Sequence, residues 1–203
     1  MKLNLGCGAK KRPGWVNVDH SPVTAPDMVC DLEHFPWPWE DDSVGEIELR
    51  HVLEHLGQTT AVYLNIIREI YRICRHGTHV RIVVPHPRHD DFINDPTHVR
   101  PITYESLKLF DLDFNARCIE QNWANSLLGM QLGVDLAIES YKVTLDPIWQ
   151  GRYDRGEVTT DQVNRAMREQ NNVVRETDFW LAVRKQPKVE SVSAQGGVHE
   201  RNG

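Results

Sequence analysis

The sequence predicts an α/β fold built on an open, mostly parallel sheet. A short apolar strand over residues 2–5 runs directly into Gly6 and Gly8, as the first strand of a nucleotide-binding α/β fold does. Further along, β-type runs alternate with turns and a helical pattern, and two late strands flank a helix. This order is typical of a single sheet whose last two strands pair at one edge.

The glycine turn predicts a close approach of the backbone to a ligand, because glycine has no Cβ to keep a ligand away. In the dinucleotide fingerprint G-x-G-x-x-G, Gly6 and Gly8 fit the first two positions, but Lys11 stands at the third. This departure argues against a pyrophosphate seated on a helix N-terminus. A nicotinamide-dependent dehydrogenase is therefore disfavoured.

The first half of the chain predicts short strands that end in acids. Residues 15–19 (WVNVD) and 27–31 (DMVCD) are such runs. Only seven residues separate Gly8 from Val16, fewer than the dozen or so that a helical crossover needs. The first crossover helix is therefore expected to be shortened or missing. Residues 46–50 alternate polar and apolar, which predicts a strand with one polar face.

From residue 59 onward the sequence predicts a helix. Thr59 or Thr60 would cap it and Gly77 would stop it, because apolar residues recur at helical spacing between them. Further strands are expected over residues 79–85, 136–145 and 173–185. A capping box at Thr159 and Gln162 predicts a helix to about residue 171. Residues 104–110 suggest one or two helical turns, and residues 115–135 are ambiguous.

Composition indicates one soluble globular domain. The chain has 203 residues, of which 40% are hydrophobic and 26% charged, and its apolar runs are too short to span a bilayer. Four scattered cysteines and the absence of a leader before Leu3 favour a cytoplasmic protein. A net charge of −6 argues against nucleic acid as a partner. We expect a domain over residues 1–186 and a disordered polar tail over 187–203.

Several segments, taken in order, resemble class I S-adenosylmethionine-dependent methyltransferases, and more narrowly the small bacterial and phage-type proteins of the type 11 kind. They are residues 3–8 (LNLGCG), 17–19 (NVD), 30–37 (CDLEHFPW), 50–56 (RHVLEHL) and the helical stretch 68–77 (REIYRICRHG). The match covers about residues 1–110. The resemblance implies a Rossmann-like open sheet of about seven strands with an antiparallel last strand, and a site at the carboxyl ends of the first strands. The chain departs from the family in lacking a helix before the first strand and in carrying His76 where a proline is usual.

The resemblance implies S-adenosyl-L-methionine as the cofactor and assigns its contacts. Asp19 would accept the ribose hydroxyls, Asp31 the adenine amino group, and the Leu32 amide would contact a ring nitrogen. The methionine end would lie along Asn4, Gly6, Cys7 and Gly8, with His51 near the sulfonium. Two structural alternatives remain: Asp19 as a strand-end cap and Asp31 in an Asx-turn.

The loop over residues 86–101 is rich in histidine and aspartate, and such long loops often carry function. It contains possible ligands for zinc or iron, but prolines interrupt it and no compact helical histidine pair is present, so we expect no metal. Its segment 95–98 (DPTH) resembles an element that follows the fifth strand in the family and faces the acceptor. A catalytic base is therefore expected at His98, oriented by Asp95, or at His86. The alternative is a purely structural turn.

Together these features predict a methyltransferase that carries out O- or N-methylation of an unidentified acceptor, such as a small molecule or a glycan. The alternative from another class is a module that binds S-adenosylmethionine or a nucleotide without transferring a group. The sequence leaves the acceptor and the oligomeric state open.

Overall fold

The fold is a seven-stranded mixed sheet, described here from a computed structural model for residues 1–185; the tail expected over 187–203 lies outside the described residues. The strand order is β3-β2-β1-β4-β5-β7-β6. The strands are β1 Lys2–Leu5, β2 Val16–Asp19, β3 Met28–Val29, β4 Val44–Arg50, β5 Cys74–Pro85, β6 Leu136–Leu145 and β7 Val174–Val183.

All pairs from β3 to β5 are parallel, whereas β7 is antiparallel to both β5 and β6. The predicted fold class, an α/β sheet of about seven strands with an antiparallel last strand, is confirmed. The last two strands pair at the edge as expected, although two helices separate them along the chain, α6 Pro147–Asp154 and α7 Thr160–Glu169.

The connections near the start of the chain are short, as the sequence predicts. Within the described residues, β1 and β2 are joined without a helix, and β2 and β3 are joined by a single 3₁₀ turn, Pro22–Thr24. The sheet extends one way from β1 to β3 and the other way from β1 to β5. Right-handed crossovers therefore place these short connections on one face of the sheet and the β4–β5 helix on the other.

The helical face of the sheet carries the hydrophobic core. Helix α1, Thr60–Ile73, begins at Thr59, whose hydroxyl accepts a hydrogen bond from the Val62 amide. Its fully buried Ile66, Ile70 and Ile73 belong to one cluster with the strand residues that face them. Burial of each such side chain contributes about 1.5–3 kcal/mol, so this stripe fixes α1 on the sheet.

The predicted end of α1 is wrong. The helix stops at Ile73 and β5 begins at Cys74, so Gly77 lies inside the strand. The β4–β5 pairing is irregular there, because Val44 faces Cys74 whereas Glu46 already faces His79. Gly77 has φ 76° and supplies the left-handed residue that this irregular strand start needs.

The opposite face, here called the polar face, is held by ion pairs across the strands. On β4, Glu46, Glu48 and Arg50 alternate with buried apolar residues, as the sequence pattern predicts. Parallel sheets are normally covered on both sides, so a charged face needs partners on neighbouring strands. Glu48 accepts from Arg12 at 2.5 Å and from Arg81 at 3.0 Å, and Arg81 also pairs with Asp178 at 2.6 Å.

The segment between β5 and β6 is broken into short helices. They are α2 Asp90–Ile93, α3 Tyr104–Lys108, α4 Leu112–Glu120 and α5 Leu128–Leu132. The capping box at Thr159 and Gln162 forms, and α7 ends at Glu169. The four cysteines are unpaired. No helix in the described part of the chain is both long enough and apolar enough to cross a membrane.

Candidate functional site

A cleft of about 290 Å³ opens at the carboxyl ends of β1 and β4. Five of the eight predicted cofactor-binding residues line it: Asn4, Gly6, Cys7, Gly8 and His51. The other lining residues are Ala9, Lys10, Glu48 and Arg50. The glycine turn and the end of the fourth strand, which lie far apart in the sequence, therefore form one site.

The turn after β1 requires its glycines. Gly6 and Gly8 have φ values of 67° and 49°, in the left-handed region that side chains disfavour. A Cβ on Gly6 would lie 2.4 Å from Cγ2 of Val52, so no side chain fits there. Between them, the Cys7 amide donates to the Val18 carbonyl at 2.9 Å, which ties the turn to β2.

Asp19 ends β2 beside this turn. Its Oδ2 accepts from the Gly8 amide at 2.8 Å, and its Oδ1 accepts from the Ser21 amide at 2.9 Å. The strand-end cap considered from the sequence is therefore formed. Each carboxylate oxygen has a second acceptor site, so the carboxylate can also accept ribose hydroxyls. That role remains a prediction.

The side chain of Asn4 on β1 stabilises the glycine turn through hydrogen bonds. Its amide nitrogen donates to the Lys10 carbonyl at 3.1 Å and to Oδ1 of Asn17 at 2.9 Å. These bonds connect β1 and β2 with the far end of the glycine loop. The arrangement favours a role for Asn4 in shaping the cleft wall, since both donors of its amide are already used.

Asp31 and Leu32 follow β3 and are not among the residues that line the cleft. Oδ1 of Asp31 accepts from the Glu33 amide at 2.9 Å, so the Asx-turn alternative is formed. That amide, and next the neighbouring His34, lower the pKa of Asp31. Leu32 is buried and its carbonyl accepts from Nε1 of Trp37 at 3.1 Å. Their contacts with adenine remain a prediction.

His51 stands where β4 leaves the sheet. Its φ of 54° is unusual for a residue with a side chain, and such strain is often found at functional sites. Its Nε2 lies 2.8 Å from Oε2 of Glu176, which also pairs with Arg50 at 3.1 Å. The carboxylates of Glu54 and Glu176 raise the pKa of His51, although partial burial opposes them.

Sequence reasoning missed Glu176. It lies on β7, 125 residues after His51 in the chain, and no local motif marks it. A signal was available in the predicted topology. Because the last strand was expected to be antiparallel, its first residues had to lie at the carboxyl edge of the sheet, where the site was placed.

His86 lines a different cavity, of about 380 Å³. Thr177 and Phe179 of β7 line this cavity, whereas Glu176, just before Thr177, reaches His51 from the other face of the strand. Burial, and next the nearby charges of Arg88 and His89, lower the pKa of His86. The structure thus places this predicted base away from the donor cleft.

His98 is enclosed in the loop. Its side chain is 6% exposed, and its ring stacks on Phe92 with centroids 5.1 Å apart. Nδ1 lies 2.8 Å from the Phe92 carbonyl, whereas Nε2 is 3.8 Å from Asp95, too far for a hydrogen bond. The Phe92 carbonyl, not Asp95, therefore orients the imidazole. Oδ1 of Asp95 instead accepts from the amide and the hydroxyl of Thr97.

The loop also brings His98 against the 3₁₀ turn Leu53–His55 that follows β4. The rings of His55 and His98 have centroids 4.5 Å apart, and one ligand atom each of Glu54, His55 and His98 lies within 4.8 Å of the others. Glu54 and His55 meet His98 only through the tertiary structure, so local sequence spacing does not predict this cluster.

No protein-family model and no curated protein matches this sequence. Solved structures match its fold. An S-adenosylmethionine-dependent methyltransferase from Archaeoglobus fulgidus is 17% identical over 90% of this chain and 85% of its own, with a TM-score of 0.59. The [4+2]-cyclase SpnF is 14% identical over 91% of this chain and 75% of its own, with a TM-score of 0.51.

A third similar structure contains bound ligands. Phosphoethanolamine N-methyltransferase 2 from Haemonchus contortus, in complex with phosphomonomethylethanolamine and S-adenosylhomocysteine, is 14% identical over 91% of this chain and 48% of its own, with a TM-score of 0.50. At these identities the likeness concerns the fold. The chain has the fold of the class I S-adenosylmethionine-dependent methyltransferases, as its sequence motifs predict.

Proposed function

We propose that this protein is an S-adenosylmethionine-dependent methyltransferase that methylates an oxygen or nitrogen of a small molecule or glycan. One observation carries the proposal. The Gly8 amide of the turn after β1 is hydrogen-bonded to the acid that ends β2, at the mouth of a cleft on the carboxyl edge of the sheet. The sheet around this cleft has the fold of the Archaeoglobus fulgidus methyltransferase.

The proposed donor would lie across the ends of the first strands. Asp19 would bind its ribose and the backbone of Gly6 to Gly8 would pass along its methionine end, with the sulfonium toward His51. Asp31 and Leu32, after the next strand, would contact adenine. The Haemonchus contortus structure, which has the same fold and contains S-adenosylhomocysteine, supports this class of donor.

Methyl transfer from a sulfonium is a direct displacement, in which the acceptor attacks the methyl carbon and the thioether leaves. Catalysis would come mainly from holding donor and acceptor in line, since orientation alone can supply about 7–11 kcal/mol. The acceptor side of the cleft would be formed by the carboxyl end of β4, where Arg50 and His51 are fixed by Glu176.

The alternative is a protein that binds the donor but transfers no methyl group. The likeness to SpnF supports this alternative, because SpnF is a [4+2]-cyclase with the same fold. A fold alone does not determine a reaction. The two hypotheses share the donor site and differ only in turnover.

Replacing Asp19 tests the donor site. We expect Asp19→Ala to weaken binding of S-adenosylhomocysteine by about 1.5–3 kcal/mol, because it removes the acceptor proposed for the ribose hydroxyls. Isothermal calorimetry on the folded variant measures this. If the variant binds as tightly as the wild type, Asp19 does not contact the donor.

The control is Asp27→Ala. Asp27 also accepts a backbone amide, that of Asn17 at 2.8 Å, but it does not line the cleft. Its loss should disturb a neighbouring loop and leave the affinity for S-adenosylhomocysteine unchanged.

Two further measurements test the other hypotheses. Calorimetry with NAD tests whether the protein is a nicotinamide-dependent dehydrogenase. Turnover of a panel of hydroxyl and amine acceptors distinguishes a methyltransferase from a protein that only binds the donor.

A further inference from the structure

Glu54 is a buried carboxylate without a hydrogen-bond partner in the described part of the chain. Its side chain is 1% exposed, and neither carboxylate oxygen has a hydrogen bond. His51 approaches Oε1 only to 3.6 Å, beyond hydrogen-bond distance. Burying a carboxylate without hydrogen bonds costs several kcal/mol, so a cation bound beside it would stabilise the folded protein.

The backbone holds Glu54 firmly in this position. Its carbonyl accepts from the amides of Val99 at 2.9 Å and Arg100 at 3.2 Å. These bonds tie the turn after β4 to the loop that carries His98. Backbone bonds therefore hold together the two segments that carry Glu54, His55 and His98.

Two imidazoles face the same point. Nδ1 of His98 lies 2.8 Å from the Phe92 carbonyl, and Nδ1 of His55 lies 2.9 Å from Oγ1 of Thr97. A carbonyl only accepts, so His98 carries its hydrogen on Nδ1 and has a free lone pair on Nε2. Histidines that bind metals are commonly fixed in this way by a partner on the other nitrogen.

We propose that Glu54, His55 and His98 bind a divalent transition metal of the zinc type. Two imidazoles and one carboxylate are a common ligand set for such ions, and three protein ligands leave positions open for water or another molecule. Bonds of about 2.1 Å require the ligand atoms, now within 4.8 Å of one another, to draw together. Glu54 can move to do so because no hydrogen bond holds its carboxylate.

The site lies beside the donor cleft, because His51 approaches Glu54 through Nδ1 and Glu176 through Nε2. Metal binding nevertheless does not depend on methyl transfer. The proposal departs from the expectation of no metal, which rested on the spacing of the loop histidines and did not include the turn after β4.

Calorimetry with Zn²⁺ on the metal-stripped full chain tests the site. We expect one ion per chain in the wild type. Since loss of a partner behind a ligand already costs about 10–100-fold in metal affinity, loss of a ligand should cost at least about 100-fold. We therefore expect at least that loss in Glu54→Gln and in His98→Ala. The control is His79→Ala, which removes an exposed histidine 3.1 Å from Glu139 and should leave the affinity unchanged.

Melting temperature gives a second readout. Zn²⁺ should raise it in the wild type and in His79→Ala but not in Glu54→Gln, because only a bound ligand stabilises the folded state. Glu54→Gln preserves side-chain volume and removes the buried charge. It therefore still tests the metal site if His98→Ala fails to fold. Absence of stoichiometric binding in the wild type overturns the proposal. Equal binding by the wild type and Glu54→Gln also overturns it.

Discussion

Gly6 and Gly8 share a left-handed backbone but differ in their surroundings. Both have positive φ, yet only a Cβ on Gly6 meets another residue, Val52 at 2.4 Å, whereas a Cβ on Gly8 has no heavy atom within 4 Å. The cost of alanine should therefore differ between two positions of the same turn. Comparing the two alanine variants therefore distinguishes the cost of backbone strain, which both share, from the cost of a steric clash, which only Gly6 adds.

We expect Gly8→Ala to lower the free energy of unfolding by about 1–2 kcal/mol, the cost of a left-handed residue with a side chain. Gly6→Ala should lower it by about 2–5 kcal/mol, because overpacking against Val52 adds to that cost. Urea denaturation of the two variants measures both values. Equal losses would show that the turn shifts freely away from Val52.

Single residues of the site were predictable where they adjoin a strand end. Gly6, Gly8 and His51 could be placed because the end of a parallel strand fixes which edge of the sheet its next residues reach. Glu54 and Glu176 were missed as site residues. Glu54 meets His98 of the loop before α3, and Glu176 reaches Arg50 and His51 from the last strand. Local spacing in the sequence contains no information on such contacts.

At the level of elements, helix α1 fixes the loop that leads into β4. Oε2 of Glu69 accepts from the Trp37 amide at 2.6 Å, and Arg72 pairs with Glu69 at 2.7 Å. Arg72 also donates to the carbonyls of Trp37 and Trp39. Two side chains of one helical turn thus provide hydrogen-bond partners for backbone groups of a loop that contains no helix.

Glu69→Gln should destabilise the fold by about 1–2 kcal/mol at neutral pH, because a charged acceptor is lost and Arg72 is partly exposed. Arg72, and next the Trp37 amide, lower the pKa of Glu69 below its ordinary 4.5. The stabilisation is therefore present above about pH 4.5 and lost as the pH falls through the lowered folded-state pKa. The gap between wild type and variant should close in acid.

Thermal or urea unfolding at neutral pH and at several values below pH 4.5 measures that gap. Arg68→Gln is a suitable control, since Arg68 lies on the same helix and contacts only Asn65 at 3.0 Å among the interactions of its side chain described here. A gap that stays constant in acid would mean that Glu69 titrates as it does in the unfolded chain.

Helices could be predicted from the sequence where a periodic apolar stripe or a capping pattern marks them. Helix α1 shows its stripe of isoleucines and α7 its capping box, so both were found. Helix α6 buries no residue, and its sequence therefore contains no apolar period to detect. The signal that could have found it is the pair Asp146 and Pro147, an N-cap followed by proline at the first helical position.

At the level of the whole molecule, the two faces of the sheet are stabilised by different forces. The helical face buries apolar side chains, whereas the polar face depends on arginine–carboxylate pairs that cross from strand to strand. Arg81 joins β4, β5 and β7 through Glu48 and Asp178, whose side chains are 8% and 11% exposed. At the rim of the same face, Lys2 and Glu46 are both well exposed.

We expect Arg81→Met to lower the free energy of unfolding by about 2–3 kcal/mol, because two mostly buried carboxylates lose a partner. The matched Lys2→Met should cost less than about 1 kcal/mol, since exposed pairs are largely screened. Urea denaturation compares the two. Similar small losses would mean that the centre of the polar face is as well hydrated as its rim.

The polar face has a consequence for the ions around the protein. Glu48 both lines the donor cleft and belongs to the chain of ion pairs on this face. Where a helix layer covers the sheet, such a residue is insulated by protein of low dielectric constant. Here that layer is short turns, so the ionic solution lies closer to these charges, within reach of a Debye length of about 8 Å at physiological salt. The electric potential at a bound sulfonium would then depend on the surrounding electrolyte as well as on the fixed charges of the chain.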